Sequence, residues 1–202
     1  MQSAADLLAE HYQKTYELTL DVWGQRNQTF LILLAVVGGA TLLTFNASET
    51  QPLLVDIIAK LLSIESPDRQ SQLRASFPYG LIQTILLMVV LYLTLVLYHR
   101  TSFIRRSYRY LGELENELRT AMGLPDGSVA FTREGKFYEK HSPVLSRAVG
   151  ITYVGMLGLL LLAFLGMRIF TDFSSGNYVV SAIDFLLAVP TVLFFGAYVH
   201  AS

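Results

Sequence analysis

Asp184 is the residue whose type and position in this sequence most directly suggest chemistry. It lies six residues after Tyr178, the start of a long apolar run, and an ionisable group at such depth in a membrane helix is a functional candidate because it is costly to place there. An equally weighted alternative starts the span later, near Ile183. The carboxylate would then lie at the outer interface, with Arg168 or Asn177 as its partner.

Pro190 lies near the middle of the same run. Because proline has no N–H, it frees a backbone carbonyl in the preceding turn and can kink the helix. A kinked helix could act as a gate, but most prolines in membrane helices are simply accommodated. Asp184, Arg168 and Pro190 are therefore the candidate residues within the membrane.

No pattern in the chain predicts a catalytic or metal site. The four histidines, His11, His99, His141 and His200, each lack a second histidine or carboxylate at metal-ligand spacing, and the chain contains no cysteine. A Gly-rich phosphate loop and a nucleophile elbow are also absent from the sequence. We therefore predict that the protein is not an enzyme and that it uses no metal or cofactor.

Basic residues are concentrated between the second and third apolar runs. Since arginine and lysine resist translocation, segment 99–147 is predicted to be cytoplasmic. A second interpretation, compatible with the first, is a docking patch for anionic lipid headgroups. Interspersed acidic residues make the charge too mixed for a nucleic-acid surface. The basic docking candidates are Arg105, Arg106, Arg109, Arg133 and Lys136.

Four apolar runs dominate the chain and must position these residues: 29–46, 79–98, 148–167 and 178–200. A helix rises about 1.5 Å per residue, so about twenty residues cross a hydrocarbon layer of about 30 Å. The composition, 52% apolar and only 15% charged, agrees with a membrane protein. We predict four transmembrane helices. Segments 47–78 and 168–177 then face outward, and both termini face the cytoplasm.

Two of the runs are predicted to continue as helices outside the membrane. Residues 1–28 read as an amphipathic helix that enters the first span, with Trp23 and Arg26 as interface anchors. After the second span, an apolar stripe that includes Leu111, Leu114 and Leu118 repeats at steps of three and four. This stripe needs a partner. The amino-terminal helix is the nearest candidate and a second copy of the chain is the next.

The remaining segments complete the predicted fold, an all-α integral membrane protein of four spans. Residues 129–138 carry aromatic and β-branched side chains around a glycine, which predicts a small β-hairpin between spans two and three. Residues 52–64 read as an amphipathic helix beginning just after Pro52, and residues 63–77 as a polar loop.

Two groups of residues flank the first two spans. Those that enter the first span are Tyr12, Tyr16, Trp23, Arg26, Asn27 and Phe30, and those that follow the second are Tyr108, Leu111, Leu114, Glu115 and Leu118. Their arrangement resembles that of SLATT-type prokaryotic membrane effectors. The resemblance covers about the first 120 residues, and this chain adds a hairpin and two further spans. It implies a self-associating protein of the inner membrane, linked to nucleotide signalling and antiviral defence, that perturbs the membrane when a cytoplasmic partner signals.

Two functions remain in competition. The first is an oligomeric membrane component that is regulated by, or anchors, a cytoplasmic protein partner, and that acts as a gated, membrane-perturbing effector. The second is a small transporter or ion-conducting protein that uses Asp184. The expected partners are membrane lipid, further copies of the chain and a cytoplasmic protein, with no nucleic acid.

Overall fold

The computed structural model describes residues 4–45, 47–64, 66–125, 128, 130–131, 144–176 and 178–202. These residues form six helices and no strand. In chain order the helices are α1 (Ala4–Phe45), α2 (Ala47–Leu61), α3 (Pro67–Ser76), α4 (Tyr79–Ala121), α5 (Val144–Ser175) and α6 (Tyr178–Ala201). Helices α1, α4, α5 and α6 are long and apolar enough to cross a membrane. The prediction of an all-helical protein with four candidate spans is confirmed.

The predicted extension of the second span is confirmed as well, because α4 continues without a break to Ala121. Its end is fixed by Gly123, whose φ of 64° lies in the left-handed region. The Gly123 N–H donates to the Thr120 carbonyl at 3.2 Å and the Leu124 N–H to the Arg119 carbonyl at 3.0 Å. These two bonds form a Schellman motif, which satisfies carbonyls left over at the end of the helix.

The glycines Gly123 and Gly24 make a matched pair for a stability test, since an added methyl group meets nothing within 4 Å at either position. Gly123→Ala places a side chain at a positive φ and should destabilise the protein by about 1 kcal/mol. Gly24→Ala lies inside α1 and should stabilise it by about 0.5 to 1 kcal/mol. Denaturant unfolding in detergent, followed by circular dichroism, measures both. Shifts of the same sign would contradict the assigned conformations.

The predicted hairpin receives no support from the structure. No strand occurs among the described residues, and most of 129–138 lies outside them, together with Arg133 and Lys136. Ala130 and Phe131 are described and form a turn, with Phe131 at a φ of 52°. The Arg119 guanidinium donates to the carbonyls of Ser128 at 2.6 Å and Ala130 at 2.9 Å, which ties this turn to the end of α4.

The region between the first two spans contains more helix than predicted. Helix α2 begins at Ala47, five residues before the predicted start at Pro52, so this proline lies inside the helix. The loop prediction for residues 63–77 is wrong, since α3 occupies Pro67–Ser76. Pro67 stands at the first helical position, where proline is favoured, but α3 is too polar to show an apolar periodicity.

The short outer loop predicted at 168–177 is also wrong, because α5 continues to Ser175. The sequence suggested a loop because its third apolar run ends at Met167 and the next residue, Arg168, is charged. In the structure the side chains of Arg168 and of Asp172, four residues later, are buried and paired with one another, so the helix can continue through them. Gly176, at a φ of 70°, follows the end of α5.

The chain forms two compact units. The unit we call the hairpin unit comprises Met1–Leu31, Leu95–Met156 and Phe194–Ser202. The unit we call the bundle unit comprises Ile32–Thr94 and Leu157–Leu193. The buried apolar side chains of the bundle unit include Leu87, Leu161 and Phe164, all essentially inaccessible to solvent.

In the hairpin unit, α1 and α4 pair in an antiparallel arrangement. The Tyr12 hydroxyl donates to Glu115 Oε1 at 3.0 Å, while farther along α1 the Gln25 carbonyl accepts a bond of 2.8 Å from Arg100. These two contacts show that α1 and α4 run in opposite directions. We call this antiparallel pair of helices the α-helical hairpin.

The apolar stripe of α4 lies inside this hairpin unit. Leu111 and Leu118 are completely buried and Leu114 is 4% exposed. The amino-terminal helix that was the nearest candidate partner contacts the same part of α4, since Tyr12 bonds to Glu115. Leu111, Leu114 and Leu118 are therefore unavailable as docking residues in this conformation, because their own chain covers them.

Candidate functional site

The site is centred on Arg168, a guanidinium only 2% exposed in the bundle unit. Its partner is Asp184 of α6, which is completely buried. Arg168 Nε donates to Asp184 Oδ2 at 2.6 Å, and the Arg168 NH2 group lies 2.5 Å from the same oxygen. Asp184 therefore has the partner that one of the two sequence interpretations named, and it has the burial that the other required.

Polar groups of α4 hold the remaining guanidinium nitrogens. Arg168 NH1 donates to Gln83 Oε1, and NH2 lies 3.3 Å from the Gly80 carbonyl and 3.4 Å from Thr84 Oγ1. Residues 80, 83 and 84 are spaced by three and four, so they lie on one face of the first turns of α4. Gln83 in turn donates to Thr44 Oγ1 of α1 at 3.3 Å. Each of the four candidate spanning helices thus contributes a residue.

A second carboxylate completes the cluster. Asp172 follows Arg168 by four residues on α5 and is 4% exposed, and its Oδ1 lies 3.1 Å from Arg168 NH2. Sequence reasoning missed both Asp172 and Gln83. The available signal was the spacing of four between Arg168 and Asp172, which places the two side chains on one helix face.

The charges of this cluster do not balance. One guanidinium faces two carboxylates, so the fully ionised cluster of Arg168, Asp172 and Asp184 carries a net charge of −1. In addition, Asp184 Oδ1 is buried and no hydrogen-bond donor among the described residues reaches it. A buried carboxylate oxygen without a donor is unfavourable. A proton shared between the two carboxyl groups, or a bound cation, removes both the excess charge and the missing bond.

Pro190 lies within α6 on the same stretch of helix as Asp184. It cannot donate to the Leu186 carbonyl four residues earlier, while the neighbouring Thr191, completely buried, donates its hydroxyl to the Leu187 carbonyl at 2.7 Å. The helix therefore loses one backbone bond one to two turns beyond the charged cluster. The gating role of Pro190 stays a prediction.

The other predicted site residues lie in the hairpin unit, not in the cluster. Arg105, Arg106 and Arg109 are exposed on α4. Trp23 is 48% exposed, and Arg26 donates to the Tyr198 hydroxyl at 3.2 Å with its guanidinium carbon 5.8 Å from the centre of the Tyr198 ring. Among the described residues, no group of three His, Asp or Glu side chains is placed to hold a metal ion.

The chain matches no protein-family model, no curated protein and no solved structure. The resemblance to SLATT-type effectors therefore stays a prediction.

Proposed function

We propose that this protein is a small ion-translocating component of the cytoplasmic membrane, and that its charged cluster of Arg168, Asp172 and Asp184 holds the transported proton or monovalent cation. The observation that carries the proposal is Asp184 Oδ1, a buried carboxylate oxygen that no donor among the described residues reaches, beside a second carboxyl group that shares the Arg168 guanidinium.

An ion pair with a purely structural role would need only one carboxylate beside Arg168. Arg168 and Asp184 alone would be neutral and would join α5 to α6. The second carboxylate, Asp172, shares the Arg168 guanidinium with Asp184, and two like charges at one buried cation repel each other. A site that takes up and releases a positive charge explains the excess carboxylate. Intramembrane carboxylates mark ion and proton pathways in many membrane proteins.

Movement or assembly must accompany translocation. The bundle unit also buries the apolar side chains Leu87, Leu161 and Phe164, which offer no polar group to an ion. Four spanning helices are also too few to enclose a wide pathway within one copy of the chain. We therefore include in the proposal that several copies assemble and that the pathway is gated, with Pro190 as the position where α6 can bend.

Liposomes that enclose a pH-sensitive dye test the proposal. With a potassium gradient and valinomycin as the driving force, the wild-type protein should acidify or alkalise the lumen faster than protein-free liposomes do. Asp184→Asn should reduce the rate to the protein-free level, whereas Asp184→Glu should keep part of it, because only the latter retains an ionisable group. Repeating the experiment with a sodium gradient at constant pH distinguishes transport of protons from transport of sodium ions.

The matched control is Asp56→Asn, which removes an exposed carboxylate that pairs with Arg74 at 2.6 Å. This variant should translocate at the wild-type rate. The proposal would be ruled out if liposomes with the wild-type protein translocated ions no faster than protein-free liposomes. It would also be ruled out if Asp184→Asn were as active as the wild type.

A second candidate is the partner-regulated effector, which one specific observation favours. Helices α1 and α4 form a hairpin held by its own contacts, and exposed Arg105, Arg106 and Arg109 lie along α4. Such a hairpin in the cytoplasm, with both termini on the same side, offers a docking platform for a cytoplasmic protein. The flux experiment separates the candidates, because an effector that merely disrupts the membrane does not depend on the Asp184 carboxylate.

A further inference from the structure

Two adjoining cavities in the hairpin unit share the residues Arg105, His200 and Ala201. The first has a volume of about 480 Å³ and is also lined by Trp23 and Arg26. The second has a volume of about 570 Å³ and is also lined by Arg106 and Arg109. Both volumes fall within the range of about 300 to 1,000 Å³ that is typical of ligand pockets.

The linings of these two cavities are basic. Arg105 contributes to both, Arg26 to the first, and Arg106 and Arg109 to the second, while none of the described residues that line them is Asp or Glu. The Arg105, Arg106 and Arg109 side chains are exposed. Arg105 NH1 donates to the His200 carbonyl at 2.9 Å, which fixes its guanidinium group at the boundary between the cavities. The ligand expected from this charge is an anion with two separated negative groups.

The position of the arginines along α4 indicates where this anion resides. They lie within about three helical turns beyond Tyr98, which ends the apolar run of the helix and itself lines the second cavity. Trp23 and Val199 of the same unit are each more than two-fifths exposed, as side chains in contact with lipid would be. Arginine and tryptophan at the end of an apolar run are typical of the headgroup layer.

We propose that the two cavities bind one anionic phospholipid that carries two phosphates, of the diphosphatidylglycerol type. Arg105 lies between the phosphates. Arg26 faces the phosphate in the first cavity, and Arg106 and Arg109 face the phosphate in the second. The acyl chains follow the exposed apolar side chains beside the cavities. Arginine suits phosphate because its planar guanidinium group can donate two parallel hydrogen bonds.

Trp23 provides the measurement, because it is the only tryptophan of the chain and lines the first cavity. The purified protein in detergent is titrated with diphosphatidylglycerol, with phosphatidylglycerol and with phosphatidylcholine while Trp23 fluorescence is recorded. The fluorescence change should saturate at a lower concentration of diphosphatidylglycerol than of phosphatidylglycerol, and phosphatidylcholine should cause no change. Arg105→Gln should weaken diphosphatidylglycerol binding by about fivefold, as expected for one basic residue near a charged lipid surface.

Arg69→Gln is the matched control, because it removes one exposed arginine from α3 in the bundle unit and should leave binding unchanged. Circular dichroism verifies that each variant is folded. Equal responses to phosphatidylglycerol and diphosphatidylglycerol at equal phosphate would overturn the two-phosphate assignment. Equal binding of the deacylated, water-soluble headgroup would show that the site takes a free phosphate compound, and unchanged binding by Arg105→Gln would overturn the site itself.

Discussion

Replacing Arg168 with leucine should destabilise the protein by about 3 to 5 kcal/mol, because it leaves buried carboxyl groups without their cation. Arg168 is the only cation that the described structure places against the buried carboxylate of Asp184, and it also faces Asp172. Leucine would leave two carboxyl groups side by side without a positive charge. Denaturant unfolding in detergent, followed by circular dichroism, measures the loss.

Two further variants identify the cause. Arg168→Leu combined with Asp184→Leu should recover most of the lost stability, because a buried ion pair can often be replaced by apolar groups at little cost. Arg74→Leu breaks an exposed pair, with Asp56, and should cost no more than about 1 kcal/mol. If Arg168→Leu were as mild as Arg74→Leu, the buried cluster would not exist as described.

Leu118→Glu should open the α-helical hairpin, with an expected cost of about 3 to 5 kcal/mol in that unit. Leu118 is completely buried, so the substitution removes apolar packing and places a carboxylate where water does not reach. Hydrogen exchange should increase along the first turns of α1 and the last turns of α4. If a cytoplasmic protein docks on the hairpin, its co-purification with the tagged chain should be lost as well.

Asn116→Glu is the matched control for this variant, since it introduces the same charge two residues away at an exposed position. Its hydrogen exchange should equal that of the wild type. If Leu118→Glu also exchanged like the wild type, the stripe would face another surface, and assembly through Leu111 and Leu118 would again be the better explanation.

The part of the fold that the sequence could predict is the part governed by long apolar runs. The four spans follow from hydrophobic length alone, and the continuation of α4 follows from a stripe that keeps helical spacing for five turns. Gly123 marks its end because only a residue tolerant of positive φ closes a Schellman motif well. These features are local, so one sequence contains them.

The features that could not be predicted depend on contacts between distant residues. Arg168 was expected in a loop, because nothing local shows that Gln83, 85 residues before it, would accept a hydrogen bond from it inside the protein. Helix α3 is polar on all sides, and the contact between Arg74 and Asp56 that joins it to α2 is again a pairing that no periodicity reveals. The apolar stripe of α4 predicted the need for a partner but left two candidates open.

A double-mutant cycle between Arg168 and Asp184 is the most direct test of the central claim, that a guanidinium and a carboxylate are paired inside the membrane-spanning helices. The cycle uses Arg168→Leu, Asp184→Leu and the double variant, and it compares their free energies of unfolding in the same detergent. We expect a coupling of about 2 to 3 kcal/mol, near the upper end for residues in direct contact. A coupling near zero, with the two single effects simply adding, would contradict the pairing and the function built on it.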